Sequence, residues 1–140
     1  LVQPITVPTQ IPIVIAKPPI ALSTAEVFGQ VSLGDIPKEC SGLVQSAQRF
    51  DTKTIGQQMF NRLQQFVEPL SPTIAGLYDQ LRLEFSRLNC LGHQMSGSGS
   101  SYFGVFSNVR IARQAANCLS SRLPHVRIIL SKTLTRTATS

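Results

Sequence analysis

At 140 residues and 15.3 kDa the chain is the size of one domain, and 42% hydrophobic against 14% charged residues supplies a core and excludes a disordered tail. Net charge is +6, with all seven carboxylates at or before Glu84 and only Arg87, Arg110, Arg113, Arg122, Arg127, Lys132 and Arg136 beyond it, an asymmetry that fits either an anionic partner or a solvated basic surface. No apolar run reaches the roughly 18 residues of a bilayer-crossing helix, because Pro12, Lys17 and Pro18 break the most hydrophobic stretch, so no membrane is expected.

The chain opens at Leu1 without an initiator Met or a basic, apolar or Arg-rich leader pattern, the start expected of a piece of something longer. Residues 1–10 alternate apolar residues with Pro4 and Pro8 and read as an extended lead-in. The β-branched run Ile11 to Ala16 reads as a strand ending near Lys17, stopped by Pro18 and Pro19. Ser23-Thr24-Ala25-Glu26 matches a capping box, with Ser23 as N-cap of a helix running to about Val31. From Ser32 to Thr54, Gly34, Asp35, Pro37, Gly42 and Asp51 predict a connecting stretch with at most a helical turn.

Ile55, Met59, Leu63, Phe66 and Val67 recur at helical steps and predict a helix before Pro69. Ser71-Pro72 supplies an N-cap and first-turn proline for the next helix, whose stripe Ile74, Leu77, Tyr78, Leu81, Phe85 and Leu88 reads as core. His93 and Gln94 lie in a short strand-like segment leading to Met95 and a Gly/Ser run, Ser96 to Ser101. Tyr102 to Phe106 reads as a buried strand, its Gly104 marking a close backbone approach. Ser107 or Asn108 caps a helix with Ile111, Ala115, Cys118 and Leu119 inward, Val126 to Leu130 is a last strand, and residues 132–140 form a basic tail expected to fray. The order strand, helix, two helices, strand, strand, helix, strand indicates a single small α+β domain of split β-α-β type.

One segment carries chemistry. Gly97 and Gly99 alternate with Ser96, Ser98, Ser100 and Ser101 between two strand-like stretches. Glycine admits positive φ and close approach of a ligand, and successive N–H groups can hold an anion in one concavity; a loop that merely joins strands fits the same composition. No Gly-Lys-Ser/Thr follows, so it is not a Walker A loop, and its G-x-G spacing is too short for a dinucleotide fingerprint. His93 and His125 lack neighbours at metal-ligand spacing, and no metal is expected. Cys90 and His93, three residues apart, are not read as a nucleophile pair. The three scattered cysteines Cys40, Cys90 and Cys118 suggest no disulfide framework and fit a reducing, cytoplasmic compartment. With 6% aromatic residues and no Trp, nucleic acid is not expected as a partner.

Met95-Ser96-Gly97-Ser98-Gly99-Ser100-Ser101-Tyr102-Phe103-Gly104-Val105-Phe106 resembles the third motif of the GHMP small-molecule kinases. Within that superfamily, Lys17-Pro18-Pro19-Ile20-Ala21-Leu22-Ser23-Thr24-Ala25-Glu26-Val27-Phe28 resembles the K-P-P-x-x-x-S-T-A-E-V-Y stretch of the 4-diphosphocytidyl-2-C-methyl-D-erythritol kinases, and Asn61-Arg62-Leu63-Gln64 resembles their N-D-L-E helix. Arg62 and Gln64 depart from the family's acidic residues, and Ala21 and Leu22 from the aromatic or glycine residues of many relatives. Order and spacing agree from about Leu1 to Leu130.

The resemblance implies a ferredoxin-like C-terminal domain with a four-stranded, mainly antiparallel sheet covered by helices. It implies part of an ATP-dependent kinase of non-mevalonate isoprenoid synthesis, acting on the 2-hydroxyl of a cytidine diphosphate methylerythritol. Ser96, Gly97, Ser98, Gly99 and Ser100 would be the phosphate loop, and Lys17, Pro18, Pro19 and Ile20 would lie toward the cytidine end of the substrate. ATP with Mg, and the catalytic Asp and Lys, would belong mainly to an N-terminal domain that this chain lacks, acting in cis or in trans, so the chain alone is expected to be inactive. A different outcome would be a free-standing, non-catalytic domain that binds a phosphorylated small molecule or a protein partner.

Overall fold

In the computed structural model, which describes residues 9–32 and 39–135, the β-branched run after Gln10 becomes an inner strand, β1 (Pro12–Lys17). It pairs with β3 (Tyr102–Val105) on one side and β4 (Arg127–Lys132) on the other, and β2 (Gly92–Met95) completes a sheet of order β2-β3-β1-β4. Every pairing is antiparallel. Side chains alternate between faces along each strand, so Val14 and Ala16 turn to the same face as their partners Gly104 and Tyr102, while Ile13, Ile15 and Lys17 turn to the other.

The first face carries the main core. Helix α5 (Pro72–Arg87) lays Ile74, Leu77, Tyr78, Leu81 and Phe85 on it, and α6 (Val109–Arg122) adds Ala112, Ala115, Ala116 and Leu119. The caps act as the sequence predicts: Ser71 accepts from Ile74 N–H at 3.4 Å, with Pro72 in the first turn, and of the two cap candidates Asn108 accepts from Ile111 N–H at 3.0 Å. Ser23 likewise accepts from Glu26 N–H at 3.3 Å to open α1 (Thr24–Gly29). In α6 the buried stripe is rotated from the expected one: Ala115 and Leu119 are buried, Ile111 and Cys118 only half-buried. The close approach at Gly104 is present, since a Cβ there would stand 2.7 Å from Cys90 Sγ and from the Phe85 ring.

Two helical expectations are corrected. The stretch read as a connector contains α2 (Ser41–Gln48) and the start of α3 (Thr52–Gln58). Asp51, which looks like a loop residue, is the α3 N-cap and accepts from Thr54 N–H at 3.0 Å. Leu43, Ala47, Ile55 and Met59 of this region pack with Ile11 and Val105 in a second, smaller cluster; tertiary burial, not local propensity, makes these helices. The continuous helix expected from Ile55 to Val67 is instead broken, because Met59 is extended (φ −57°, ψ 138°) and α4 starts only at Gln64, running Gln64–Leu70 with Pro69 in its last turn.

At the far end, β4 runs through Lys132, and Thr133 exchanges 2.9 Å hydrogen bonds with Ile11, so the tail is tied beyond the expected limit of the strand. Residues 1–8 and 136–140, most of the expected lead-in and tail, lie outside the described residues.

Candidate functional site

The Gly/Ser run forms the β2–β3 connection. Ser96 N–H donates to Ser101 O at 2.9 Å and Gly99 N–H to Ser96 O at 3.0 Å, folding six residues into a tight loop. Gly97 (φ +57°) and Gly99 (φ +87°) both occupy the left-handed region that glycine enters without strain. Space is a second demand at Gly99 only: a Cβ there would lie 2.9 Å from Leu22 and 3.2 Å from the Tyr78 hydroxyl, whereas Gly97 has nothing within 4 Å.

The loop is held from three sides. Asn61, in the break between α3 and α4, donates both amide hydrogens, to Met95 O and to Gly97 O, each at 2.8 Å, while its Oδ1 accepts from Leu63 N–H at 3.0 Å. Gln64 accepts from Met95 N–H at 3.0 Å and donates to Glu68 at 3.2 Å. From the core side Tyr78 OH donates to Ser100 O at 3.1 Å, and Ser100 donates its hydroxyl to Ile20 O. Thr24, in the first turn of α1, shares a 2.9 Å hydrogen bond with Ser98.

These bonds bring the loop against the segment that follows β1. Lys17 to Leu22 and Gly99 to Ser101 line one open groove of about 510 Å³. Of the expected phosphate loop, Gly99 and Ser100 face this groove, Ser96 opens to a neighbouring hollow beside Ile13 and Ile15, and Gly97 and Ser98 stand at the turn gripped by Asn61 and Thr24. Lys17, Pro18, Pro19 and Ile20 all line the groove. In the sequence Asn61 and Gln64 carry only family likeness and Tyr78 reads only as core; the structure makes all three supports of the loop. Two amides interrupting an apolar helical pattern were the available signal, since a buried amide requires partners.

Behind the loop lies a half-buried polar cluster around the buried Tyr102. Tyr102 OH and His93 Nδ1 are 3.0 Å apart, His93 stacks on Phe85 at 5.9 Å, and Arg82 pairs with Glu68 and, at 2.7 Å, with Asp79. Burial raises the Tyr78 and Tyr102 hydroxyls above the ordinary phenol range and pushes the Cys90 thiol up to about 11. Burial, with the Arg82 charge adding to it, holds His93 below the ordinary imidazole range. A thiol held toward its protonated form by burial is a poor nucleophile near neutral pH. Among the described residues no three His, Cys, Asp or Glu side chains cluster as metal ligands, and no helix is long and apolar enough to cross a membrane.

The antiparallel sheet of order β2-β3-β1-β4, with α5 and α6 on its core face and a glycine loop joining β2 to β3, defines a small α+β domain, and comparison with known proteins gives its family. Residues 43–125 match the family of GHMP kinases, C-terminal, and the chain belongs to that family. It is 33% identical over 109 residues to the 4-diphosphocytidyl-2-C-methyl-D-erythritol kinase of Alkaliphilus metalliredigens, covering 76% of this chain and 36% of that one. The kinase of the same name from Shouchella clausii is 31% identical over 106 residues, covering 75% of this chain and 34% of its own. A crystal structure of a 4-(cytidine 5'-diphospho)-2C-methyl-D-erythritol kinase superposes with a TM-score of 0.71 at 23% identity, over 93% of this chain and 45% of that one. The chain thus spans about a third of the length of the curated relatives it matches.

Proposed function

We propose that this chain is the C-terminal domain of an ATP-dependent kinase that phosphorylates the 2-hydroxyl of 4-diphosphocytidyl-2-C-methyl-D-erythritol in non-mevalonate isoprenoid synthesis, in the cytoplasm. The observation that carries it is the single groove shared by Lys17 to Leu22 and Gly99 to Ser101, two segments about 80 residues apart that both resemble stretches of these kinases. The named relatives supply the substrate.

In this reading the domain positions rather than reacts. The tethered Gly99–Ser100 backbone and the Ser101 hydroxyl offer preorganised dipoles, and phosphoryl transfer depends chiefly on positioning and electrostatic stabilisation. Tyr78, Tyr102, His93 and Cys90 are not among the residues that line the groove, so none of them is placed to accept a proton there. Among the described residues no group of three His, Cys, Asp or Glu side chains could hold Mg; in this reading the metal, most of the ATP contacts and the base come from the part of the longer relatives that the match leaves uncovered.

The test is turnover by the native gene product purified from its source cells, with its intact mass set against 15.3 kDa. A larger product that transfers phosphate from ATP to the cytidine diphosphate methylerythritol, with no turnover by the 140-residue chain, is the expected outcome. A native product that consumes no ATP with this substrate, while the isolated chain saturates with a cytidine nucleotide, would replace the reading with a free-standing receptor.

A further inference from the structure

We propose that Lys17 and Arg127 form a phosphate-binding pair at the rim of the groove, and that the group they hold is the diphosphate of a nucleoside diphosphate; the ligand, though not the anion site itself, rests on the reading above. Lys17 of β1 and Arg127 of β4 are direct partners in the antiparallel ladder. Opposite residues share a face, with Cβ atoms about 4.5–5.5 Å apart. Both side chains therefore leave the sheet together, on the face turned away from α5 and α6, and both are exposed.

Like charges directly opposite destabilise a sheet, and nothing here offsets them. Among the described residues Arg82, Arg87 and Arg122 have carboxylate partners, whereas neither Lys17 nor Arg127 makes an ion pair. The pairs next along this face are apolar, Ile15 with Ile129, so the two cations stand at the end of a half-buried isoleucine ledge. On its other side Lys17 lies one residue beyond the Ala16–Tyr102 pair, level with Ser101, and it lines the groove with Gly99, Ser100 and Ser101. Across the ends of three strands the row is therefore Arg127, Lys17, Ser101. Two cations anchored on paired strands and followed by a hydroxyl suit adjacent phosphate groups, where charge-assisted hydrogen bonds are the strong ones. Pro18 and Pro19 have no N–H to donate, so charge at this rim comes from the side chains. The site also gives a role to part of the basic excess after Glu84, which the Gly/Ser loop leaves unused.

The experiment titrates inorganic pyrophosphate into the 140-residue chain, followed by amide chemical shifts, for the wild type and for Lys17→Gln, Arg127→Gln and Arg113→Gln. Arg113 is exposed on α6, in the layer behind the sheet, and its loss changes net charge as much as the loss of Arg127. The expected result is saturable binding with shifts at Lys17, Ser101 and Arg127, weakened about three- to fivefold by each of the first two substitutions, the range of one exposed charge contact, and unchanged by Arg113→Gln. Equal weakening by all three variants would mean bulk electrostatics and overturn the site. Absence of binding would overturn it as well, and is the result expected if an acidic protein face covers the pair. The ligand-free thermal midpoint of Arg127→Gln should hold or rise, because a like-charge opposition is removed; a fall would make Arg127 a structural residue. Pyrophosphate reads the site and turnover of the longer gene product reads the reaction, so either can fail without the other.

Discussion

Gly56 of α3 lies backbone to backbone against Gly92 at the start of β2: a Cβ on Gly92 would stand 2.0 Å from the Gly56 carbonyl oxygen, and one on Gly56 would stand 2.4 Å from the Leu91 carbonyl oxygen. Two missing side chains let a helix touch the sheet edge. Gly92→Ala should push α3 off β2 and cost about 3 kcal/mol, the upper range for overpacking a rigid site. Urea unfolding measures it; a change within about 0.5 kcal/mol, as for an ordinary surface substitution, would show that the helix moves freely.

Asn61→Asp keeps the shape of the side chain and replaces the amide donor with an acceptor, facing the Met95 and Gly97 carbonyl oxygens that now sit at 2.8 Å. Stability should fall by about 1–3 kcal/mol, the penalty for losing donors to carbonyl groups that are then left unpaired. Amide hydrogen exchange should quicken selectively over Gly97 to Ser101. Exchange rates in the loop that match wild type would sink the assignment of Asn61 as its clamp.

The elements with local punctuation were legible in the sequence. Pro18 and Pro19 end β1, Ser23, Ser71 and Asn108 cap their helices, and the α5 stripe from Ile74 to Phe85 is buried as its spacing requires. The errors came where distant contacts override local cues. Asp51 reads as a loop residue until its carboxylate is seen capping α3, and Gly42 reads as part of a connector although it lies inside α2. The helix expected through Asn61 is interrupted because that side chain is bonded 34 and 36 residues away, at Met95 and Gly97. For the site, the glycine conformations at Gly97 and Gly99 were readable from composition, but the meeting of Lys17 to Leu22 with Gly99 to Ser101 depends on the β1–β3 register, which no local pattern encodes.

Gly97→Val isolates backbone conformation from crowding, since φ is +57° there and no atom lies within 4 Å of a built Cβ. A left-handed β-branched residue costs about 1–2 kcal/mol, which the loop can relieve only by leaving its present turn and the Asn61 bond. The isolated domain should stay folded, with a thermal midpoint a few degrees lower, about 4 °C per kcal/mol at this size. In the longer gene product the same substitution should lower turnover; an unchanged rate together with an unchanged fold would remove the loop from the site.

His93 gives the fold a pH dependence of definite sign. Burial and the nearby Arg82 hold its folded value below the unfolded one, which lies at about 6.5. Below that pH the unfolded chain takes up a proton that the folded chain resists, so stability is intact above about 6.5 and declines as pH falls toward the depressed folded value, by up to about 1.4 kcal/mol per pH unit. Urea midpoints between pH 5.5 and 7.5 should show this slope in the wild type and a flatter one in His93→Gln. Parallel slopes would assign the titration to another group.

Glu84 is the one carboxylate buried in the described fold, and it ties α5 to α6: Arg122 reaches its two oxygens at 2.7 and 2.9 Å, while Arg87 is more distant at 3.4 Å. Breaking a buried pair from one side leaves an uncompensated charge, which costs more than the pair contributes. Because Arg122 is half-exposed, water supplies part of the lost solvation, and Arg122→Met should cost about 2 kcal/mol rather than the 3–5 kcal/mol of a fully buried pair. Glu84→Met removes the charge that needs a partner and should cost less than Arg122→Met. The double variant should cost less than the sum of the two, giving a coupling of about 1 kcal/mol or more in a double-mutant cycle. Additive effects would mean that the two helices are held by the shared apolar core alone, with the ion pair incidental.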